Sequence, residues 1–336
     1  MRLSAMGDVA MTVPVLRAFV KQYPEVKITV ISRPFFKPFF DGIPNLDFFA
    51  FDEKERHKGF TGLLRLFQDV KKFKIDAFAD LHNVLRSKIV SLLFALSGKK
   101  RATVDKGREG KKELTRAENK VFRQLPTMFS RHAKVFQELG FPLDLSNPTF
   151  PERAILSPDI LEIIGNQNSK LVGIAPFAQY NSKVYPQDLM QEVIAKLAEN
   201  KACKILLFGG GKKEIEILDA LSQPFENVIN MAGKIKFQQE LQLISNLDVM
   251  LSMDSGNAHI AAMLGVKVVT LWGATHPYAG FLPFDQSLEN ALTSDRNQYP
   301  KLPTSVYGNK IVEGYEDAMR SISPDEIVNR IQSQLS

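Results

Sequence analysis

The sequence predicts an α/β protein of two doubly wound, Rossmann-like domains, and three observations carry that prediction. Its 336 residues exceed one domain of ordinary size and suit two. Short apolar runs alternate with helical patterns along the chain, which favours parallel strands joined by right-handed helical crossovers. Glycine or small polar residues recur at five strand-to-loop junctions, those at Gly7, Ala175, Gly209, Asp254 and Gly273. Open α/β sheets bind ligands outside the carboxyl ends of their strands. Junctions of this composition therefore point to a polar ligand held by backbone, and two such sheets facing each other would hold substrates in the cleft between them.

The elements follow in order. A very short strand ends at Ser4-Ala5-Met6-Gly7-Asp8 and precedes a helix containing Met11, Val15, Leu16 and Phe19. Lys27 to Ile31, Leu46 to Phe51, Ala77 to Leu81 and Arg101 to Val104 read as strands. Between them Leu63, Leu66, Phe67, Val70 and Phe73 fall on one helical face. Thr127 to Leu139 gives a helix ended by Gly140-Phe141-Pro142. The proline-bearing stretch from Pro142 to Pro158 is the expected linker, so the domains are expected over 1–150 and 151–322. In the second half Leu171 to Ala175, Lys204 to Phe208, Val249 to Leu251 and Lys267 to Leu271 read as strands, with helices over Pro186 to Ala198 and Lys212 to Leu221. The last helix, Pro324 to Leu335 within 323–336, has Ser323 as N-cap and proline at its first position.

Composition narrows the class. Hydrophobic residues make up 44% and charged residues 24%, an ordinary globular balance. The longest apolar stretch, Ile89 to Leu96, is too short to span a bilayer, no signal peptide is visible, and the single Cys203 excludes an internal disulfide framework. A cytoplasmic location is expected. The net charge is +6, and the segment from Lys99 to Arg123 alone holds ten Lys and Arg against four Asp and Glu. A local basic block suggests one anionic partner rather than nucleic acid, or else simply a solvated loop.

Candidate chemistry sits at the junctions. Val249-Met250-Leu251 empties into Asp254-Ser255-Gly256-Asn257 and then a helical pattern, with Asp254 or Ser255 as N-cap. The unpaired N–H groups and dipole of a new helix make a phosphate site, to which His259 can add a donor. The same residues also suit an ordinary capped helix. Asp8 is either a cap or a carboxylate able to accept a proton from a substrate hydroxyl. Lys183, after Ala175-Pro176-Phe177-Ala178, can place an ammonium on phosphate. Gly209-Gly210-Gly211 with Glu214 resembles a nucleotide-binding turn but lacks the Walker and dinucleotide spacings. Asp80-Leu81-His82-Asn83 with Arg86 ends another strand and can meet an acceptor. Arg33 to Phe40 is an aromatic loop suited to lipid or, more simply, to core packing. The five histidines form no H-x-x-x-H pair and no D-x-D stands in either site, so no metal and no cofactor are expected.

Together these motifs resemble glycosyltransferase family 9, the lipopolysaccharide heptosyltransferases. Ser4-Ala5-Met6-Gly7-Asp8 is similar to the family's S-x-x-G-D, Lys183 before Tyr185-Pro186 to its K-W-P element, Met253-Asp254-Ser255-Gly256 with His259 to M-D-[ST]-G-x-x-H, and Gly273-Ala274-Thr275-His276-Pro277 to G-x-T-x-P. The resemblance runs from Arg2 to about Arg330. It implies a GT-B architecture with an acceptor-binding first domain, a nucleotide-sugar-binding second domain, and a final helix that can pack back toward the first. It also implies metal-independent, inverting transfer from a nucleotide sugar, typically ADP-heptose, to an anionic lipid-linked saccharide at the cytoplasmic face of the inner membrane. Asp8 is then the base and Lys183 contacts the donor phosphates. The donor set is Ala175, Phe177, Lys183, Gly209, Glu214, Asp254, Ser255, Gly256, His259 and Thr275. The acceptor set is Gly7, His82, Arg86, Lys106, Arg108, Lys111 and Lys112. Three departures stand out: a first strand shorter than in relatives, Tyr185 in place of the common Trp, and Leu302, Thr304 and Ile311 near positions where relatives often carry cysteines. An epimerase or hydrolase of similar fold and a non-catalytic glycan- or lipid-binding module are the competing readings.

Overall fold

A computed structural model describes residues 1–165, 169–310 and 312–335; of the positions singled out above, Ile311 lies outside them. The chain divides into two compact units, Met1–Arg108 with Pro126–Phe150, and Glu109–Leu125 with Pro151–Ser336. Among the described residues no helix is long and apolar enough to cross a membrane.

The first unit begins with α1 (Met6–Ala10) and α2 (Thr12–Gln22), followed by β1 (Ile28–Ser32), β2 (Leu46–Ala50), α3 (Gly59–Lys71), β3 (Ala77–Asp80), α4 (Leu85–Leu96) and β4 (Lys100–Thr103). Next comes α5 (Arg108–Thr115), which begins at the unit boundary, and α6 (Met128–Glu138) closes the unit. β1 pairs parallel with β2, and β3 with β4. Residues 1–3 join the pairs: Arg2 N donates to Ile31 O and Leu81 N to Met1 O. The lateral order is thus β2, β1, residues 1–3, β3, β4. Leu3, Ile31, Leu63, Leu66, Val70, Phe78 and Phe94 form the core on the α3–α4 side. Leu16, Ile28, Val30, Val70, Phe78 and Phe136 contribute to the lining of a cavity of about 710 Å³ in this unit. Phe73, expected on the α3 face, lies past the end of that helix and is 46% exposed, because the chain turns through Lys74 at φ +55°. The segment after Arg33 is a 3-10 helix, Pro34–Phe40; of its four phenylalanines Phe36, Phe39 and Phe40 are buried and Phe35 is exposed, so the aromatic run chiefly fills core.

In the second unit, α7 (Pro158–Ile164) is followed by β5 (Lys170–Ala175), α8 (Gln187–Ala198), β6 (Cys203–Leu207), α9 (Lys212–Ser222), β7 (Val228–Asn230) and α10 (Phe237–Ile244). Then come β8 (Val249–Met253), α11 (Gly256–Met263), β9 (Lys267–Trp272), β10 (Ala291–Thr293) and α12 (Pro324–Leu335). Six parallel strands run in the order β10-β9-β8-β5-β6-β7. From β5 the chain winds outward through β6 and β7, then returns to β8 on the other side of β5. The point between β5 and β8 is the topological switch, where such sheets bind ligands. Ile327, Val328 and Ile331 bury the last helix in this unit's own core, against α8, β8 and β9.

The basic segment differs from the expected loop of the N-terminal half. It forms β4 and α5, and from Glu109 onward it belongs to the second unit. Leu114 and Leu125 pack on Ala279, with Phe122, Tyr278 and Phe281 around them, and Leu125 N donates to Tyr278 O. Lys120 Nζ donates to Leu114 O and Pro303 O. Apolar burial holds this segment, and its charges ride on that contact.

Candidate active site

The second unit gathers its candidate residues at the carboxyl edge of the sheet. All five residues of β8 are buried, and Asp254 N extends the ladder to Leu271 O. Ser255, in extended conformation, is the N-cap of α11; it makes no side-chain cap, and its hydroxyl lies 3.1 Å from that of Ser252. Residues Ala258 to Met263 are buried, so α11 is anchored with its first turn at the sheet edge. Lys183 Nζ donates to Asp254 O at 2.6 Å and lies 3.3 Å from Asp254 Oδ2, while Thr275 Oγ1 donates to the same Oδ2 at 2.9 Å. Both side chains of the ion pair are about nine-tenths buried.

The Lys183 stem is itself held. Ser182 Oγ donates to Gly308 O and Ala274 N to Ser182 O. Gly308 has φ +86°, and a Cβ there would stand 2.7 Å from Lys183 Cγ. Beside this group, Glu214 Oε2 accepts from Gly210 N at 2.8 Å. A Cβ on Gly209 would meet the Phe177 ring and that carboxylate, each at 3.1 Å. Gly209, Phe177 and Glu214 therefore converge at the ends of β5 and β6. Ala175 is buried at the end of β5, paired with Ser252, and offers backbone alone. His259 is buried in the first turns of α11.

In the first unit Asp8 is the third residue of α1, whose N-cap is Ala5 rather than Asp8 itself. Its Oδ2 accepts from Ala5 N at 3.2 Å and pairs with Arg2 Nη2 at 2.5 Å. Arg2 is buried, and its other nitrogens donate to Ser4 O and Leu81 O. The carboxylate is thus fixed at the carboxyl edge next to Gly7. The turn after β3 is organised by buried Asp80, which accepts from His82 N, Asn83 N and Ser87 Oγ. Burial, then the charges of Arg2 and Lys106, push the His82 imidazole down to about 4, so it is neutral near pH 7. Lys106 is half-buried with its ammonium shifted downward, first by burial and then by Arg2 and Arg108. Arg86 and Arg108 are exposed, and Arg86 reaches Glu53. Lys112 is exposed but stands on the second unit. Lys111 is 4% exposed, its ammonium 4.0 Å from the Phe281 ring centre, where the ring face replaces water around the cation. The sequence reading missed Arg2, Ser182 and Gly308, whose roles depend on contacts distant in the chain.

Three buried imidazoles give the protein an acid-sensitive stability. Burial first, then Arg2, pushes His132 down to about 3; burial, then Arg296, pushes His276 to about 4; His82 joins them. In the unfolded chain each takes up a proton near its ordinary value of 6.5. Between that value and the folded ones the unfolded state binds more protons, so stability falls as pH drops through the window. The thermal unfolding midpoint, followed by circular dichroism, is expected to fall on acidification from 6.5 toward 4, and less steeply in His132→Phe. A midpoint flat across that window would contradict the burial of these rings.

Two Rossmann-like units, the second carrying a six-stranded parallel sheet with a switch point between β5 and β8, have the architecture of the GT-B class of glycosyltransferases. Residues 63–310 match glycosyltransferase family 9 (heptosyltransferase), and the chain belongs to that family. The matched span contains Lys183 and Asp254 and begins after Asp8. The lipopolysaccharide core heptosyltransferase OpsX of Haemophilus influenzae is 28% identical over 82% of this chain and 79% of its own length. Among solved structures, the family 9 glycosyl transferase of Veillonella parvula superposes with a TM-score of 0.75 at 19% identity, covering 99% of this chain and 95% of that one. The ADP-heptose lps heptosyltransferase II of E. coli gives 0.67 at 18% identity, covering 100% and 98%. These last two likenesses show the shared fold.

Proposed function

We propose that this glycosyltransferase moves a heptose from ADP-heptose to an anionic, lipid-linked saccharide of the lipopolysaccharide inner core, with inversion and without a metal. The observation that carries this reading is the Lys183–Asp254–Thr275 group at the β5–β8 switch, beside the first turn of α11. An ammonium and the N–H groups of a helix start can take the charge of a leaving nucleoside diphosphate. Phe177, Gly209 and Glu214 lie alongside as the surface for the nucleoside. The names of the relatives supply the heptose, the ADP and the lipopolysaccharide core.

Asp8 is the proposed base, taking the proton of the acceptor hydroxyl as it attacks the anomeric carbon while the bond to the diphosphate oxygen breaks. Gly7 permits close approach of the acceptor to backbone, neutral His82 offers hydrogen bonding, and Arg86, Lys106 and Arg108 offer charge to an anionic acceptor. Burial removes Lys111 from that set, and Lys112 remains as an exposed charge of the second unit. The enzyme is proposed to work at the cytoplasmic face of the inner membrane, drawn there by the exposed basic residues.

Calorimetric titration with ADP-, GDP- and UDP-sugars tests the donor site. The reading expects ADP-heptose to bind most tightly, with or without a chelator. Preference for a UDP-sugar, or binding that needs magnesium, would contradict it. A sugar-nucleotide epimerase or hydrolase would instead convert its donor with no acceptor present.

A further inference from the structure

Two loops and a helix start of the first unit place a charge cluster at the same sheet edge as Asp8. Arg33 follows β1, Glu53 follows β2, and Arg86 lies in the first turn of α4 after β3. Arg33 Nη2 is 2.9 Å from both Glu53 oxygens, and Arg86 Nη1 is 3.0 Å from Glu53 Oε2. Residues 1–3, which lead into Asp8, run between β1 and β3. A carboxylate anchored after β2 that reaches a guanidinium anchored after β3 therefore crosses the end of that run.

Two guanidinia share one carboxylate, so the cluster keeps a net positive charge. Arg33 and Arg86 remain 39% and 55% exposed. Arg33 Nε is buried and has no hydrogen-bond partner among the described residues. An exposed ion pair made only for stability is worth little, and a buried donor left unmade is costly. Each guanidinium keeps N–H donors beyond those given to Glu53, and the planar fork of a guanidinium suits a phosphoryl group.

We infer that Arg33 and Arg86, spaced by Glu53, form a docking fork for a phosphate monoester carried by the saccharide acceptor. The fork sets which hydroxyl of the acceptor is presented to Asp8. This rests on the assignment of the first unit to the acceptor. Arg33 and Arg86 contact the phosphate, and Glu53 is a positioning residue.

The test compares wild type with Arg33→Gln and Arg86→Gln on three probes: a phosphorylated lipid glycan, the same glycan after phosphatase treatment, and glycan-free anionic vesicles. The expected result is a rise of about ten- to hundredfold in KM for the phosphorylated acceptor. KM for the donor should not change, and KM for the dephosphorylated acceptor and vesicle binding should shift by far less, as expected for one exposed charge among several. Equal rises on both acceptors would mean general damage and overturn the fork, as would no rise at all. Loss of vesicle binding with unchanged KM would assign the cluster to lipid headgroups and also overturn it. Should wild type transfer no sugar, calorimetry with the phosphorylated glycan keeps the two ideas apart. Binding that is lost in Arg33→Gln would uphold the fork while the assigned activity fell, and binding equal in both proteins would overturn the fork.

Discussion

Asp8→Asn is expected to lower turnover by roughly 10²–10⁴-fold, the usual worth of a positioned general base, while the donor dissociation constant stays as in wild type. The amide keeps the shape that accepts from Ala5 N and lies against Arg2, so the start of α1 survives. Asp8→Ala is the harsher change. It leaves the buried Arg2 guanidinium with no acceptor at that position, where the asparagine still offers its amide oxygen. The asparagine variant therefore separates chemistry from folding. Donor affinity is expected to hold because Lys183, Asp254 and Thr275 all belong to the second unit. Steady-state kinetics with calorimetry decides the matter: full turnover in a folded Asp8→Asn protein would reduce Asp8 to a structural partner of Arg2.

Lys183→Met is expected to lose donor binding as well as turnover. Loss of a charge-assisted contact to a diphosphate weakens donor binding about ten- to hundredfold. Loss of charge stabilisation on the leaving group lowers turnover by a further 10²–10³-fold or so. The methionine keeps most of the stem that packs on Gly308, so the loop is not left hollow. It does strand Asp254, whose carboxylate then retains, among the described residues, Thr275 as its side-chain partner. The double variant Lys183→Met with Asp254→Asn removes that unpaired charge. It is expected to recover thermal stability without recovering donor affinity. Recovery of donor affinity in the double variant would show that the lysine serves to neutralise Asp254 and not to bind phosphate.

What the sequence made legible was local. Val249 to Leu251, then Asp-Ser-Gly, then a run of small apolar residues, reads directly as β8, a turn and α11, because the apolar run, the cap and the helix are contiguous. The same holds for β5, β6 and β9 and for the glycines that follow β6. β7 and β10 have three residues each, too few for a period to show. Contacts distant in the chain were not legible. Nothing near Lys183 announces a bond to an aspartate 71 positions on, and nothing near Arg2 announces that its head would hold Asp8. Lys111 shows the cost of reading charge alone. Leu114, Phe122 and Leu125 in the same stretch are the residues that dock, and they carry the lysine into a buried site against Phe281.

The most direct measurement of the central claim is mass spectrometry of a lipopolysaccharide inner-core acceptor incubated with the purified protein and ADP-heptose. The account predicts an acceptor heavier by one heptose, ADP released in equal amount, and no loss of ADP-heptose when the acceptor is left out. An acceptor of unchanged mass, or ADP-heptose consumed without any acceptor, would contradict it.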